Sequence, residues 1–283
     1  MRSTRRPDLV VFSDLDGTLL SHHEYDWRAA GPAVAALRRR AIPLVLTSSK
    51  TRLEIEAWRS RLGNTDPFIS ENGGALWLPA GWVDHAPADA APVGDRWRIG
   101  FGVSYSAVRK ALPVIAGRLG VGLRGFGDMT PAEVAELSGL SGRDLDDVMA
   151  REYDEPFIPA RPLTPAEETT LEALAAEAGL SITTGGRYLH LLGGCSKGTA
   201  ARRLLELLGN PRAVAVGDAR NDLDLLEMAD EAIVVARPDG SHDPALQAAL
   251  PGGRFTRGIG PEGFAEGVLA AIERDEGKGN SEK

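Results

Sequence analysis

The chain has 283 residues, of which 43% are hydrophobic and 25% charged, and its formal net charge is −8. This length is ample for two domains with buried cores, and the acidic balance argues against a nucleic-acid partner, which a basic surface would serve. The single cysteine, Cys195, excludes an internal disulfide framework and fits a reducing cytoplasm. The early apolar run is too short for a signal peptide or a membrane span, so we expect a cytoplasmic protein with no membrane partner.

The first predicted element is a short apolar strand over residues 8–13, which ends in two acids, Asp14 and Asp16. In an extended chain, side chains two residues apart project to the same side. Two carboxylates this close repel each other, and a divalent metal with hard oxygen ligands is the usual remedy. The alternative is a polar turn after a buried strand, with Asp16-Gly17 as its corner.

The elements that follow alternate between helix and strand, and the strands end in polar residues. A buried strand over 42–47 ends at Ser48, and a strand over 68–70 ends at Glu71. This alternation predicts a parallel α/β sheet, whose ligands bind at the carboxyl ends of its strands. The pattern returns later in the chain, with a helix from Ser196, a strand over 213–217, a helix over 221–229, a strand over 232–235 and a last helix around 264–272.

A region of different amino-acid composition lies between these two parts. Residues 82–94 are rich in Ala, Pro and Asp without periodicity, which is typical of a linker, and an α+β module follows them. We therefore expect four segments, which are a first part of the core domain over 1–85, an inserted cap domain over 86–191, a second part of the core over 192–274 and a disordered tail over 275–283.

Four side chains at strand ends and helix starts offer what phosphoryl transfer needs. Asp14 would be the nucleophile and form an aspartyl-phosphate that water then hydrolyses. Asp16 would protonate the leaving oxygen and then deprotonate the attacking water. Ser48 would donate its hydroxyl to the phosphate, and Lys197 would supply a cation. Taken singly, Ser48 is also typical of a helix cap, and Lys197 of a solvated first turn.

The metal site predicted from these residues consists of Asp14, Asp16 and Asp218. Asn221 and Asp222 would orient the water shell of the metal, because Mg²⁺ keeps several of its waters. The alternative for the segment around Asp218 is a turn that ends in a helix N-cap.

Four segments, in order, resemble the four motifs of haloacid dehalogenase superfamily phosphatases. They are Asp14-Leu15-Asp16-Gly17-Thr18-Leu19-Leu20, Ser48 after the strand over 44–47, Ser196-Lys197-Gly198, and Gly217-Asp218-Ala219-Arg220-Asn221-Asp222. The insert between the second and third motifs is similar to the α/β cap of the sugar-phosphatase branch. The resemblance implies a Rossmann-like parallel-sheet core of the α/β class with an inserted α+β cap domain, and Mg²⁺ as the cofactor.

Within that branch, further segments resemble mannosyl-3-phosphoglycerate phosphatases, namely residues 47–52, 71–74, 125–130, 151–157 and 185–194. One departure is Gly193-Gly194-Cys195-Ser196, where that family has a polar pair such as Asn-Asp before the lysine. The implied reaction releases phosphate from mannosyl-3-phosphoglycerate and leaves mannosylglycerate, a compatible solute. The alternatives are a phosphatase for glucosyl-3-phosphoglycerate or another sugar phosphate such as sucrose phosphate, and a non-catalytic sugar-phosphate sensor. The sequence does not define an oligomeric state.

A phosphorylated sugar-glycerate carries a carboxylate as well as a phosphate, which calls for additional cations in the cap. The candidates are Arg124, Arg151 and Arg187, each of which is also typical of a surface ion pair. His190 lies in an apolar strand and is interpreted as a packed, hydrogen-bonded residue. The other predicted substrate contacts are Glu71 and Asn72 for sugar hydroxyls, and Asp128 and Thr130 in a cap loop that could equally be the N-cap of its helix.

Overall fold

The computed structural model describes residues 6–22, 24–138, 142–185 and 188–281. Its strands are β1 Leu9–Ser13, β2 Leu44–Thr47, β3 Phe68–Ser70, β4 Ala75–Pro79, β5 Ala91–Val93, β6 Arg96–Gly100, β7 Leu123–Gly125, β8 Glu155–Pro159, β9 Ser181–Gly185, β10 Tyr188–Leu192, β11 Arg212–Gly217, β12 Glu231–Ala236 and β13 Arg254–Ile259. Its helices are α1 Gly31–Arg39, α2 Arg52–Leu62, α3 Tyr105–Leu119, α4 Pro131–Ser138, α5 Arg143–Met149, α6 Pro165–Glu177, α7 Lys197–Leu208, α8 Leu223–Glu227, α9 Pro244–Ala249 and α10 Pro261–Ser281. Among the described residues, none of these helices is both long and apolar enough to cross a membrane.

The larger sheet has the strand order β13-β12-β11-β1-β2-β3-β4-β6-β5 within the described chain. The strands from β13 to β3 run parallel, whereas β4, β6 and β5 extend one edge in antiparallel pairing. Every residue of β1 and β2 is buried, because helices cover both faces of a parallel sheet. The predicted α/β core with a parallel sheet is confirmed.

The insert forms a second sheet with the order β7-β8-β10-β9, in which all neighbours are antiparallel. A hydrophobic core of its own packs between this sheet and helices α3 and α6, with Leu112, Phe157, Leu171 and Leu191 buried in it. The sequence predicted a hairpin here, and β9 and β10 form it. The insert therefore has the α+β architecture that the sequence indicates.

Two expected boundaries differ from the structure. We expected the strand near residue 98 to belong to the insert, but β6 pairs with β4 in the larger sheet and its Ile99 is buried in the core beside Leu76. The expected disordered tail is also largely helical, since the backbone of α10 continues to Ser281. Asp275 accepts a hydrogen bond from Arg212, which holds this part of the helix against the core. We propose that the cap begins at about residue 101.

The carboxyl ends of four neighbouring strands meet at one edge of the larger sheet. In spatial order these strands are β11, β1, β2 and β3, and the residues that follow them are Asp218, Asp14, Ser48 and Glu71. The fold thereby brings together residues that are far apart in the sequence, at the edge where α/β proteins bind their ligands.

Candidate active site

A buried ion pair lies at the centre of this edge. Nζ of Lys197 lies 2.7 Å from Oδ1 of Asp14 and 2.6 Å from Oδ1 of Asp222. Lys197 begins α7, whose N-cap Ser196 accepts a hydrogen bond from the backbone N–H of Thr199. Burial acts to lower the pKa of Lys197, but the two carboxylates outweigh it and raise the pKa. The ammonium group therefore stays charged. Through it, the motif of Lys197 contacts the motif that begins at Asp14 and the motif that ends at Asp222.

Three buried acids, Asp14, Asp218 and Asp222, each place an oxygen within 4.8 Å of the others. Burial raises the pKa of Asp14 well above its usual range, and the negative charges of Asp222 and Asp218 raise it further, against the effect of Lys197. Such a set of converging carboxylate oxygens fits a divalent cation such as Mg²⁺.

The set differs in one member from the predicted metal site. Asp222, which we expected in a supporting role, lies within the acidic cluster, and its Oδ2 accepts hydrogen bonds from the backbone N–H groups of Asp218 and Ala219. Asp16, which we expected as a ligand, has its carboxylate outside this cluster of described residues. Asn221 lines the cavity described below, next to the cluster.

The carboxylate of Asp16 faces a lysine that the sequence analysis did not assign. Nζ of Lys50 lies 2.8 Å from Oδ2 of Asp16 and 3.9 Å from Glu54, and 5.0 Å from the ring centre of Tyr25. Burial lowers the pKa of Lys50, but Asp16 and Glu54 outweigh it and raise the pKa. Lys50 stands in the segment 47–52 that resembles the phosphatase family, and this was the available signal.

Two further residues contact Asp218. The hydroxyl of Thr18 donates to Oδ1 of Asp218 over 3.0 Å, and Nε2 of His22 lies 3.3 Å from Oδ2. The hydrogen bond with Asp218 raises the pKa of His22. Gly17, at φ +82°, leaves room for this contact, because a Cβ there would lie 2.4 Å from the His22 ring. Thr18 stands in the first motif, whereas no pattern in the sequence pointed to His22.

Ser48 directly follows β2, at the predicted strand end, and is buried. Its Oγ accepts a hydrogen bond from the backbone N–H of Lys50 over 3.2 Å. Among the described residues that line the cavity are the next two in the chain, Ser49 and Lys50, but not Ser48 itself. In this arrangement the serine hydroxyl supports the loop that presents Lys50.

Glu71 and Asn72 hold the cap against the core instead of facing the cavity. The Glu71 carboxylate accepts hydrogen bonds from three consecutive backbone N–H groups, those of Glu152, Tyr153 and Asp154, at 2.8–3.1 Å. Its pKa is raised to about 7, chiefly because it is buried. Nδ2 of Asn72 donates to Asp154 over 2.8 Å. We expected these two side chains to contact sugar hydroxyls, but neither is among the described residues that line the cavity. Cap residues bind the Glu71 carboxylate and Nδ2 of Asn72, and Oδ1 of Asn72 accepts a hydrogen bond from Asn221 of the core.

A cavity of about 1080 Å³ lies between the strand ends and the cap. Asp14, Asp16 and Asp218 lie at its core side. Its remaining wall is partly aromatic and partly charged, and the residues on it include Tyr25, Trp58, Lys50, Phe126, Arg151, Tyr188, His190, Asn221 and Arg237. A cavity of this size accommodates a molecule larger than a phosphate.

Of the predicted cap cations that the structure describes, Arg151 lines the cavity. Its guanidinium donates to the backbone carbonyls of Ser49 and Val148 at 2.8 and 3.0 Å, and its Nη2 lies 3.8 Å from Glu54. Since Ser49 follows β2 of the core and Val148 lies in α5 of the insert, Arg151 fastens the cap loop to the core.

The other predicted cap contacts lie elsewhere. Arg124 pairs with Glu133 at 2.6 Å, and Asp128 pairs with Arg109 at 2.8 Å. Thr130 forms a capping interaction with Glu133, and its hydroxyl donates to that carboxylate over 2.9 Å. None of these three predicted contacts is among the described residues that line the cavity. Arg187 lies outside the described residues.

Comparison with known proteins identifies the family. The pattern of the haloacid dehalogenase-like hydrolases matches residues 11–82. A glucosyl-3-phosphoglycerate/mannosyl-3-phosphoglycerate phosphatase of Methanococcoides burtonii is 37% identical over 272 residues, which cover 94% of this chain and 98% of that protein. This chain is a haloacid dehalogenase-like hydrolase. It is accordingly an enzyme of the phosphoric monoester hydrolase class.

Other relatives of this hydrolase agree in length and fold. A mannosyl-3-phosphoglycerate phosphatase of Pyrococcus horikoshii is 32% identical over 231 residues, which cover 80% of the hydrolase and 90% of that protein. The crystal structure of a sucrose-phosphatase of Synechocystis in complex with sucrose and phosphate has a TM-score of 0.62 at 16% identity, over 93% of this chain and 97% of that one. A structure from Thermoplasma acidophilum has a TM-score of 0.64 at 16% identity, over 93% and 97% of the two chains. At such identities the structures support the shared fold.

Proposed function

We propose that this enzyme hydrolyses mannosyl-3-phosphoglycerate to mannosylglycerate and phosphate, in the cytoplasm and with Mg²⁺ as cofactor. The observation that carries the proposal is the contact of Lys197 with Asp14 and Asp222 beside Asp218, at the floor of a cavity that the cap covers. The relatives from Methanococcoides burtonii and Pyrococcus horikoshii, whose names include this substrate, support the choice.

In the proposed reaction, a carboxylate oxygen of Asp14 attacks the phosphorus atom, and the bond from phosphorus to the glycerate oxygen breaks. Asp16 donates a proton to that leaving oxygen, which gives the alcohol of mannosylglycerate. Asp16 then removes a proton from a water molecule, whose oxygen attacks the aspartyl-phosphate. The phosphorus–oxygen bond to Asp14 breaks, and inorganic phosphate leaves with the carboxylate restored.

The charges around Asp14 suit these steps. Lys197 holds Asp14 in place and offsets the negative charge that approaches with the phosphate. Asp14 and Asp218 would hold Mg²⁺, supported by Asp222, Asn221 and the water shell. When bound, the cation would draw electron density from the phosphate oxygens and reduce the repulsion among the acids.

The identity of the sugar in the substrate is supported by fewer observations than the phosphate-ester chemistry. The relative from Methanococcoides burtonii is named for both the glucosyl and the mannosyl ester, which supports glucosyl-3-phosphoglycerate as a second substrate. The two sugars differ in the orientation of one hydroxyl, so discrimination between them depends on few hydrogen bonds. A non-catalytic sensor would not need Asp14, Asp16 and Lys197 together, and we therefore favour an enzyme over a sensor.

Phosphate release from a panel of esters, with and without Mg²⁺, tests the proposal. The panel contains mannosyl-3-phosphoglycerate, glucosyl-3-phosphoglycerate, sucrose phosphate and mannose 6-phosphate. We expect Mg²⁺-dependent turnover that is fastest on the first two, and loss of at least about 10³-fold in Asp14→Asn. The matched control is Asp89→Asn, which changes an exposed acid paired with Arg203 at 2.9 Å and should leave turnover unchanged. Binding without turnover on every ester would support the sensor instead.

A further inference from the structure

Strand β10 presents two side chains to the cavity. Tyr188 and His190 stand two residues apart on it and both line the cavity wall, as expected for side chains that share one face of a strand. His190 is 3% exposed. This face of the cap sheet therefore brings an imidazole to the substrate space.

His190 is held by a buried acid. Its Nδ1 lies 2.8 and 3.0 Å from the two carboxylate oxygens of Asp154, which is fully buried. Because a carboxylate only accepts hydrogen bonds, the Nδ1–H group of His190 is the donor to Asp154. This contact fixes the orientation of the ring and leaves Nε2 as the second ring nitrogen.

The second ring nitrogen of His190 is available to a ligand. Asp154 occupies Nδ1, and within the described chain Nε2 has no protein hydrogen-bond partner. The residue lines the cavity. Nε2 is thus the ring nitrogen that remains for a ligand in the space that a substrate would fill.

A chain of amide and carboxylate groups connects His190 to the core. Asp154 accepts a hydrogen bond from Nδ2 of Asn72 over 2.8 Å, and Oδ1 of Asn72 accepts one from Nδ2 of Asn221 over 3.4 Å. The backbone N–H of Asp154 donates to Glu71 over 2.9 Å. Core residues therefore set the position of His190 relative to the acidic cluster, although the histidine belongs to the cap.

We propose that His190, oriented by Asp154, binds the carboxylate of the glycerate through Nε2–H. This assignment rests on the proposed function, which supplies a substrate with a carboxylate besides its phosphate. A carboxylate suits this position because, once bound, it would place a second negative charge beside the ring opposite Asp154, and charge-assisted hydrogen bonds would then form at both ring nitrogens. Arg151, another cation of the cavity wall, already donates to the backbone carbonyls of Ser49 and Val148.

Calorimetric binding of two small phosphate esters, in the presence of Mg²⁺, tests this role. 3-Phosphoglycerate and glycerol 3-phosphate differ in one position, where the first has a carboxylate and the second a hydroxymethyl group. We expect the wild-type enzyme to bind 3-phosphoglycerate at least about 10-fold more tightly, and His190→Asn to bind the two esters alike. Asn keeps a donor for Asp154 but has no counterpart of Nε2.

Two other variants make the test specific. His190→Gln places an amide N–H near the position of Nε2 and should restore part of the preference. Thr184→Asn, on the neighbouring strand β9 and exposed, should keep all of it. Thermal melting checks that each variant is folded, and His190→Gln serves as the main variant if His190→Asn is unstable.

The proposal is overturned if the wild-type enzyme does not distinguish the two esters, or if a folded His190 variant without Nε2 keeps the preference. Turnover of mannosyl-3-phosphoglycerate is measured separately. Its absence would overturn the proposed function while the binding ratio still decides the role of His190.

Discussion

The ammonium group of Lys50 lies 2.8 Å from Oδ2 of Asp16. The other oxygen of Asp16, Oδ1, is buried and has no hydrogen-bond partner among the described residues. An acid that must deliver a proton to the leaving oxygen cannot remain in this ion pair throughout the reaction. An anionic substrate offers Lys50 a second negative partner, so substrate binding would release Asp16 toward the scissile bond.

This relationship predicts the effect of replacing Lys50. Lys50→Met removes both the restraint on Asp16 and a cation of the cavity, so we expect kcat/KM for the glycosyl-3-phosphoglycerate to fall about 10- to 100-fold. Lys50→Arg keeps the charge and should regain part of the loss. Lys110→Met, at an exposed position of α3, is the matched control in steady-state kinetics. A folded Lys50→Met enzyme with the kcat/KM of the wild type would contradict the assignment.

Repulsion among the three buried acids predicts that Mg²⁺ stabilises the enzyme. Binding to the folded state alone adds about 2.7 kcal/mol at a hundredfold excess over the dissociation constant, which thermal melting detects as a higher Tm. Asp218→Asn removes one negative charge from the cluster. We expect this variant to match or exceed the wild-type Tm without Mg²⁺ and to respond weakly to the cation. Equal Mg²⁺ shifts in the two proteins would show that the cation binds elsewhere.

The raised pKa of Glu71, about 7 against an ordinary 4.5, predicts a pH dependence of stability. Between these two values the folded protein binds more protons than the unfolded one, so the free energy of unfolding decreases as the pH rises. The contribution is complete below about pH 4.5 and is lost by pH 7 to 8, for a total of up to roughly 3 kcal/mol. Chemical denaturation at pH 5, 6, 7 and 8 measures it.

In Glu71→Gln the side chain cannot ionise, and the decrease in the free energy of unfolding between pH 5 and pH 8 should be smaller by most of this amount. Glu177→Gln, an exposed acid paired with Arg118 at 2.7 Å, should follow the wild-type profile. Parallel profiles for wild type and Glu71→Gln would exclude Glu71 as the titrating group.

Gly73 contacts the segment that carries Lys197. It has φ +97°, and an added Cβ would lie 2.0 Å from the backbone carbonyl oxygen of Ser196, so Gly73→Ala combines backbone strain with a clash. We expect a loss of about 3 kcal/mol or more in the free energy of unfolding, and reduced kcat because Lys197 moves. Gly81 has φ +84° but no atom within 4 Å of an added Cβ, so Gly81→Ala should cost only about 1–2 kcal/mol. Similar losses in both variants would mean that backbone strain alone acts at Gly73.

The sequence predicted best where chemistry follows local structure. Asp14, Ser48 and Asp218 stand directly after apolar strands, and parallel strands carry such residues to one edge of the sheet. The sequence analysis could not foresee the partner of Glu71, because the backbone groups that it binds lie 81–83 residues further along the chain. The cation that pairs with Asp16 could not be predicted either, because Lys50 follows β2 whereas Asp16 follows β1, and only the folded sheet brings the two together. Cap residues were hardest to assign, as an arginine that binds substrate and one that pairs with a neighbouring acid look alike in sequence.

The three hydrogen bonds that Glu71 accepts from residues 152–154 also limit how the cap can move. Any rotation that preserves these bonds has its axis close to Glu71, so Asp154 shifts little while parts of the cap far from this axis travel furthest. The cap would then rotate about a hinge at Glu71. Cap residues near this hinge would keep a nearly constant distance from the core, whereas cap residues far from it could adjust to substrates of different size. We therefore expect the enzyme to accept different sugars at the end of the cavity far from the hinge, and to select strictly for the small acidic group that binds near the hinge.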